Sequence, residues 1–291
     1  MGRRYETVSF LTDYGLIDEF VGVVKSVIRD LAPHVVVVDI SHDIPPFDVR
    51  AGALTLARSV QYMATGVVLA VVDPGVGTSR RAIAIEVAGG NGVFIGPDNG
   101  LLAGGVAIAG GAERAVELTN ESYHLAAPGA TFAGRDVFAP VTAHLSNGVD
   151  LAEFGNLVSA DELLPGVVPL PRPGETGSLI TEVMWVDRFG NAQLNVGLDD
   201  LESWGQRIQM RWGNADVRSA RKVRAYGELG DGELGLVLDS YGMFSVSLNR
   251  SAAAAELSMA VGTEVTLFDL GSTVTTPPAT PVALGRRPER V

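Results

Sequence analysis

Cysteine is absent from the 291 residues. That excludes a disulfide framework, a thiolate metal site and a cysteine nucleophile. Histidine is scarce, and His34, His42, His124 and His144 are too scattered along the chain to read as a zinc site. Basic residues are outnumbered, 22 against 34 acids, for a net charge of −12 with His neutral. Such a surface repels phosphate backbones and anionic headgroups, so neither nucleic acid nor a membrane is an expected partner. No apolar stretch approaches the length of a spanning helix, and the opening MGRRYETVSFLTDYG reaches an acid after a very short apolar run. The expectation is a soluble cytoplasmic protein.

What is abundant is apolar residues, at 46%, and glycine, with 35 residues. The first is enough for buried cores, and the length predicts about two domains at roughly 150 residues each. The glycines fall in short connections between apolar runs, a pattern that suits tight turns carrying backbone close to a ligand.

The first half repeats one arrangement, an apolar run that ends at an acid. TVSFL leads to Thr12 and Asp13, VVVV to Asp39, VVLAVV to Asp73 and GVFIGP to Asp98. Continuous β-branched runs predict strands buried on both faces, as in a parallel sheet. Between the first two runs, Phe20, Val24, Val27, Ile28 and Leu31 follow helical spacing, with Asp18 available as a cap and Pro33 as a stop. A second helix is expected in DVRAGALTLARSVQYMATG, ending at Gly66, and a third from Asp136 to just before Gly148. Strands alternating with helices predict a doubly wound α/β domain, mostly parallel, whose ligands sit beyond the carboxyl ends of the strands. All four acids are expected at that end.

Residues 165–176 then gather Pro165, Pro169, Pro171 and Pro173, too many for a helix or a central strand, so a stiff linker is expected there. Beyond it, SLITEVMWV, AQLNV, RIQMRW, GLVLDS, FSVSLN and EVTLFD are separated by turn signals, the pattern of a small all-β barrel or sandwich. The expected organisation is an α/β domain over 1–164, the linker, a smaller barrel over 177–275 and a basic, proline-rich tail over 276–291 that frays.

Chemistry concentrates in the turns. Asp73 opens DPGVGTSRR, which contains G-x-G but lacks the third glycine of a dinucleotide fingerprint, and no phosphate-binding G-x-x-x-x-G-K-[ST] occurs. Asp73 also fits a turn cap paired with an arginine, and Asp13 and Asp98 fit ordinary turns. Gathered at one sheet edge, the acids would repel without a ligand or cation, and oxygen ligands of this kind suit Mg²⁺, which keeps metal-dependent phosphoester hydrolysis open. Asp187 and Asn191 flank Phe189 in VDRFGN, and Ser240 sits in SYG. Phe189 and Tyr226 could stack on a flat ring, although aromatics more often serve cores.

Together FLTDYG, HDIPPFDV, VVDPGVGTSRR, FIGPDNGLL, TFAGRDVFAP, VDRFGN and SYG resemble, in order and over almost the whole chain, the S-adenosyl-L-methionine hydroxide adenosyltransferases, hydrolytic relatives of the fluorinase and chlorinase. The resemblance implies an N-terminal α/β domain, a C-terminal β-barrel and a homotrimer, with each active site between the N-terminal domain of one subunit and the C-terminal domain of the next. It implies conversion of S-adenosyl-L-methionine and water to adenosine and L-methionine, with no cofactor and no metal. By the same resemblance Asp13 binds the ribose hydroxyls and Phe47 walls the sugar. Asp187 receives the methionine ammonium with Ser240 near its carboxylate, and Phe189, Asn191 and Tyr226 hold adenine. Thr131, Phe132 and Gly134 line the substrate, and Asp73 and Arg80 belong to an Asp, Arg, His set that activates water. The chain departs from the family pattern T-F-H-G-R-D at one place: Ala133 stands where the histidine belongs. The implied reaction is therefore slowed, with a noncatalytic binder of the same ligand as the alternative.

Overall fold

The computed structural model describes residues 2–213 and 216–271, which fall into two compact units, Met1–Val168 and Pro169–Val291. The tail expected at 276–291 lies outside the described residues.

The first unit is a seven-stranded sheet built from β1 (Thr7–Thr12), β2 (Val36–Ser41), β3 (Val67–Val71), β4 (Ala82–Val87), β5 (Gly92–Pro97), β6 (Arg114–Glu117) and β7 (Asn156–Val158), in the order β2-β1-β3-β5-β4-β6-β7. The strands marked by the four apolar runs are parallel neighbours: β1 with β2 and β3, and β3 with β5. The other half of the sheet is antiparallel, β4 lying between β5 and β6, with β7 beyond. Residues Ala88–Asn91 between β4 and β5 are too few for the crossover that a parallel pair needs.

Helices α1 (Phe20–Leu31), α2 (Val49–Ser59), α3 (Ala103–Ile108) and α4 (Ala139–Ser146) cover the sheet. On one face Val8, Phe10, Leu69 and Val71 pack with Val24 and Ile28 of α1 and Val141 of α4. Side chains alternate along each strand, so Val72 turns to the other face, where it meets α2 at Gly52. Leu56 of α2 and Phe94 of β5 likewise close against Gly105 of α3 there. Burial of these runs on both faces is what the β-branched pattern predicts for β3 and β5. β2 is the exception, with Val36 and Val38 exposed, because it is the sheet edge.

Local capping signals hold at one helix and fail at another. Asp48 caps α2, its carboxylate accepting from Ala51 N at 2.9 Å. Asp18 does not cap α1, which starts behind Glu19 with no side-chain cap. The third helix begins two residues before Asp136, as a π-helical turn Gly134–Phe138 that runs into α4.

The second unit contains β8 (Arg172–Pro173), β9 (Leu179–Val186), β10 (Ala192–Gly197), β11 (Arg207–Trp212), β12 (Asp216–Val223), β13 (Leu234–Leu238), β14 (Met243–Leu248) and β15 (Glu264–Asp269). Their order is β10-β14-β13-β12-β11-β15-β9-β8, and pairing of β10 with β9 closes a seven-stranded barrel. Val183, Leu194, Val196, Ile208, Met210, Leu236, Val246 and Leu267 fill it. Strand β12 has no sequence signal, since DVRSARKV is mostly polar and exposed; it is held between β11 and β13 by ladder bonds. The stretch expected to be only linker contributes β8, with Pro173 on the outermost strand, where its missing N–H breaks no inner ladder.

Candidate active site

The carboxyl ends of β1 and β3 open into a cleft of about 410 Å³ in the first unit, lined by Asp13, Tyr14, Phe20, Phe47, Asp73, Thr131, Phe132, Ala133 and Gly134 among others. Every residue of the first unit expected to touch substrate is in this lining. Arg80 stands behind Asp73.

Asp73 ends the β3 segment, where the chain turns through Pro74 and Gly75. Its carboxylate receives both arms of the Arg80 guanidinium, Nε to Oδ1 at 3.0 Å and Nη2 to Oδ2. The side chains are only 5% and 12% exposed respectively, so solvent screens the pair poorly and the carboxylate is locked in one orientation. Arg80 is also supported by the Phe138 ring at 5.6 Å. Gly77 follows in the same turn at φ +77°, and an added Cβ there would sit 3.2 Å from the Ala130 carbonyl oxygen. Glycine thus lets the Asp73 turn approach the loop that delivers Thr131 and Phe132.

Asp13 follows β1 directly. Its Oδ2 accepts from Phe47 N at 2.9 Å, which holds Phe47 at φ +67°, a left-handed conformation that costs a non-glycine residue of order 1 kcal/mol or more. The Phe47 ring is 73% exposed at the cleft. Burial raises the Asp13 carboxyl pKa above its ordinary value, and the nearby Asp73 charge adds to the shift, while hydrogen bonds from backbone N–H groups oppose it.

The acids do not gather as a set of four. Asp39 lies inside β2, where it pairs with Lys25 at 2.8 Å. Asp98 accepts from Arg81 Nε and from Leu164 N, both at 2.9 Å, and faces a separate cavity of about 230 Å³. Of these four acids only Asp13 and Asp73 share the cleft, which Asp18 also lines. Among the described residues no group of three or more His, Cys, Asp or Glu side chains could hold a metal ion. Arg135 pairs with Asp136 at 2.6 Å and lies over the Phe132 ring at 5.1 Å.

In the second unit Asp187 organises the turn from β9 to β10. Its Oδ1 accepts from Phe189 N at 2.9 Å and Asn191 N at 2.8 Å, and its Oδ2 from Asn191 Nδ2 at 2.8 Å. Asn191 is buried by this arrangement, whereas the Phe189 ring is 79% exposed. Asp239 does the same for the turn before β14, accepting from Tyr241 N at 2.8 Å and Met243 N at 3.1 Å, with Ser240 exposed inside the turn. Gln193 of β10 donates to Asp239 Oδ2 at 2.5 Å and ties the two turns together. Burial raises the Tyr226 hydroxyl pKa, and the charges of Asp187 and then Asp239 push it the same way. All five second-unit candidates thus belong to one neighbourhood.

Residues 8–155 match the SAM hydroxide adenosyltransferase N-terminal domain, and residues 181–266 match the C-terminal domain of the same group. The chain belongs to the SAM hydroxide adenosyltransferase family. A relative from Salinispora tropica named (R)-S-adenosyl-L-methionine hydrolase is 44% identical over 255 residues, covering 88% of this chain and 95% of its own length. One of the same name from Salinispora arenicola is 43% identical over 258 residues, covering 89% and 96%. Fluorinases are more distant relatives, such as one from Actinoplanes that is 27% identical. A solved structure of a conserved, uncharacterised protein from Thermotoga maritima superposes with a TM-score of 0.80 at 34% identity, covering 90% of this chain and all of that one.

Two residues of these neighbourhoods carry no sequence-based expectation. Asp239 precedes Ser240 and shapes its turn, and the signal was the Asp-Ser-Tyr-Gly turn itself. Tyr14 follows Asp13 and lines the cleft. Nothing in the sequence says which way an aromatic after a strand end points.

Proposed function

We propose that the protein hydrolyses S-adenosyl-L-methionine to adenosine and L-methionine by attack of water on C5′. The observation that carries this reading is the buried Asp73, clamped in both directions by Arg80 at the foot of a cleft walled by Asp13 and Phe47. The sulfonium departs as a neutral thioether, so the reaction is first a matter of aligning a nucleophile opposite sulfur. Water is a weak nucleophile, and Asp73 accepts its proton while Arg80 holds the carboxylate in one orientation. A chloride or fluoride ion in the same place would face that carboxylate at contact distance, which disfavours halogenation. The net charge of −12 suits a cationic substrate.

In this reading Asp13 takes the ribose hydroxyls and Phe47, Thr131, Phe132 and Gly134 enclose the nucleoside. Asp187 takes the ammonium, Ser240 the carboxylate, and Phe189, Asn191 and Tyr226 the adenine. These second-unit groups serve the cleft of a neighbouring subunit in a homotrimer, a proposal that rests on the family resemblance. Sedimentation at one species near three times 30.5 kDa supports it, and a monomer with full affinity for S-adenosyl-L-methionine overturns it. No metal or cofactor takes part, and the proposed compartment is the cytoplasm. The test of the reaction is incubation with S-adenosyl-L-methionine in excess chelator followed by chromatography. Adenosine and methionine should form in equal amounts, and loss of turnover on chelation would refute the metal-free reading.

One observation favours a second reading. Ala133 presents no polar atom to the cleft, so a chain that binds S-adenosyl-L-methionine without cleaving it also fits. Binding with no adenosine after prolonged incubation would establish that alternative.

A further inference from the structure

A buried arginine–aspartate clamp supplies one hydrogen-bond acceptor for a water molecule, and a single contact leaves that water free to rotate. A second contact must come from another polar atom facing the same space. The Ala133 side chain has none. The polar atom that packing brings to the Ala133–Gly134 turn is the Tyr14 hydroxyl. A Cβ built on Gly134 would fall closer than 3.0 Å to that oxygen, so the hydroxyl rests directly against the Ala133–Gly134 turn. Its position is set by ring packing. Tyr14 meets Phe20 at 5.8 Å and Phe132 at 5.7 Å between centroids, and those two rings meet each other at 5.1 Å. No hydrogen bond to the hydroxyl is found among the described residues, so its lone pairs and proton remain available to the cleft that Tyr14 lines.

Its electrostatic setting agrees with that position. Burial, and then the charges of Asp13 and Asp73, raise the Tyr14 pKa above that of an ordinary phenol, with Arg80 opposing. The hydroxyl therefore stays protonated at any working pH and is a hydrogen-bonding group, not a base.

We propose that the Tyr14 hydroxyl is the second anchor of the attacking water, filling the role for which Ala133 offers no atom. This rests on the hydrolase reading of the cleft. In the step, the water oxygen forms the bond to C5′ while the C5′–S bond breaks and sulfur keeps the electron pair. One water proton passes to Asp73. The other stays on the new 5′-hydroxyl of adenosine, having been held by the Tyr14 oxygen during attack. Tyr14 keeps its own proton throughout.

The test is Tyr14→Phe, which preserves the ring cluster and removes only the hydroxyl. Single-turnover adenosine formation at saturating S-adenosyl-L-methionine should fall about ten-fold, the loss expected for one transition-state hydrogen bond, with the dissociation constant little changed. In an Ala133→His background, where a ring nitrogen stands at the adjoining position, the same Tyr14→Phe change should cost less than about three-fold, because the two groups share one role. A merely structural Tyr14 would instead weaken binding and rate together, and by the same factor in both backgrounds. An unchanged rate in Tyr14→Phe, or an equal loss in the Ala133→His background, overturns the proposal while leaving hydrolysis by Asp73 standing. A wild-type protein that forms no adenosine at all overturns both.

Discussion

Replacing Gly134 with alanine tests the geometry on which the role of Tyr14 depends, and it does so without reference to activity. Gly134 is buried at the first position of the π-helical turn, and a Cβ there would lie closer than 3.0 Å to the Tyr14 hydroxyl and 3.2 Å from Phe132 Cε2 and Tyr14 Cζ. The Tyr14 ring cannot simply swing aside, because Phe20 and Phe132 pack against it. Forcing an extra carbon into such a site typically costs about 1–3 kcal/mol. In a Tyr14→Phe background the closest atom is gone, and the remaining neighbours at 3.2 Å need to give by only a few tenths of an ångström. There the cost should drop below about 1 kcal/mol, leaving a coupling between the two positions of about 1–2 kcal/mol. Each kcal/mol shifts the melting temperature by roughly 2–4 °C for a unit of this size. Melting curves of the four proteins, the wild type, each single variant and the double variant, should therefore show Gly134→Ala lowering the transition by several degrees only when the hydroxyl is present. An equal drop in both backgrounds would mean that the hydroxyl does not rest on this turn, and the water-anchoring argument would fail with it.

Restoring the family histidine alone, Ala133→His, should raise the single-turnover rate toward about 10²-fold, the lower end of what a general acid or base contributes, with little change in affinity; an unchanged rate would favour the binder reading. Asp187→Asn keeps an acceptor for the turn N–H groups and removes the charge, so calorimetry should show S-adenosyl-L-methionine weakened about ten-fold and adenosine far less. Equal weakening would remove the ammonium from Asp187. Because burial and the Asp73 charge raise the Asp13 pKa above its ordinary value of 3.8, the folded state favours its neutral form. The ionised carboxylate is then a stability cost that builds as pH rises from the ordinary value to the raised one and is present in full above it. Asp13→Asn should accordingly melt higher than wild type at neutral pH and lose that advantage in acid, and a variant no more stable at any pH would contradict the shift. The same sign predicts that adenosine affinity in the wild type declines on acidification before an ordinary aspartate would titrate.

The sequence by itself determined the elements whose signals are local. The β-branched runs before Asp13, Asp73 and Asp98 became parallel strands, and Asp48 capped its helix through its own side chain. Six barrel strands could be read from alternation and turns. The motifs in register across both halves were enough to identify the family and to put the first-unit candidates into one cleft. These features depend on neighbours in the chain, on the period of two or 3.6 that a strand or helix imposes, and on side chains that hydrogen-bond a few residues away.

Other features were decided only by contacts between distant segments. Strand β12 is polar and exists because β11 and β13 flank it, and the VVVV run is half exposed because β2 lies at the sheet edge. Asp39 and Asp98 end the same kind of apolar run as Asp13 and Asp73, yet Asp39 pairs with Lys25 within β2 and Asp98 pairs with Arg81 beside a separate cavity. The Tyr14 hydroxyl reaches the Ala133–Gly134 turn because Phe132, distant in sequence, packs on its ring together with the nearby Phe20. A strand-end acid or aromatic has the same local signature wherever it points. Its partners are chosen by packing across the sheet, and that packing is where the chemistry of this site was settled.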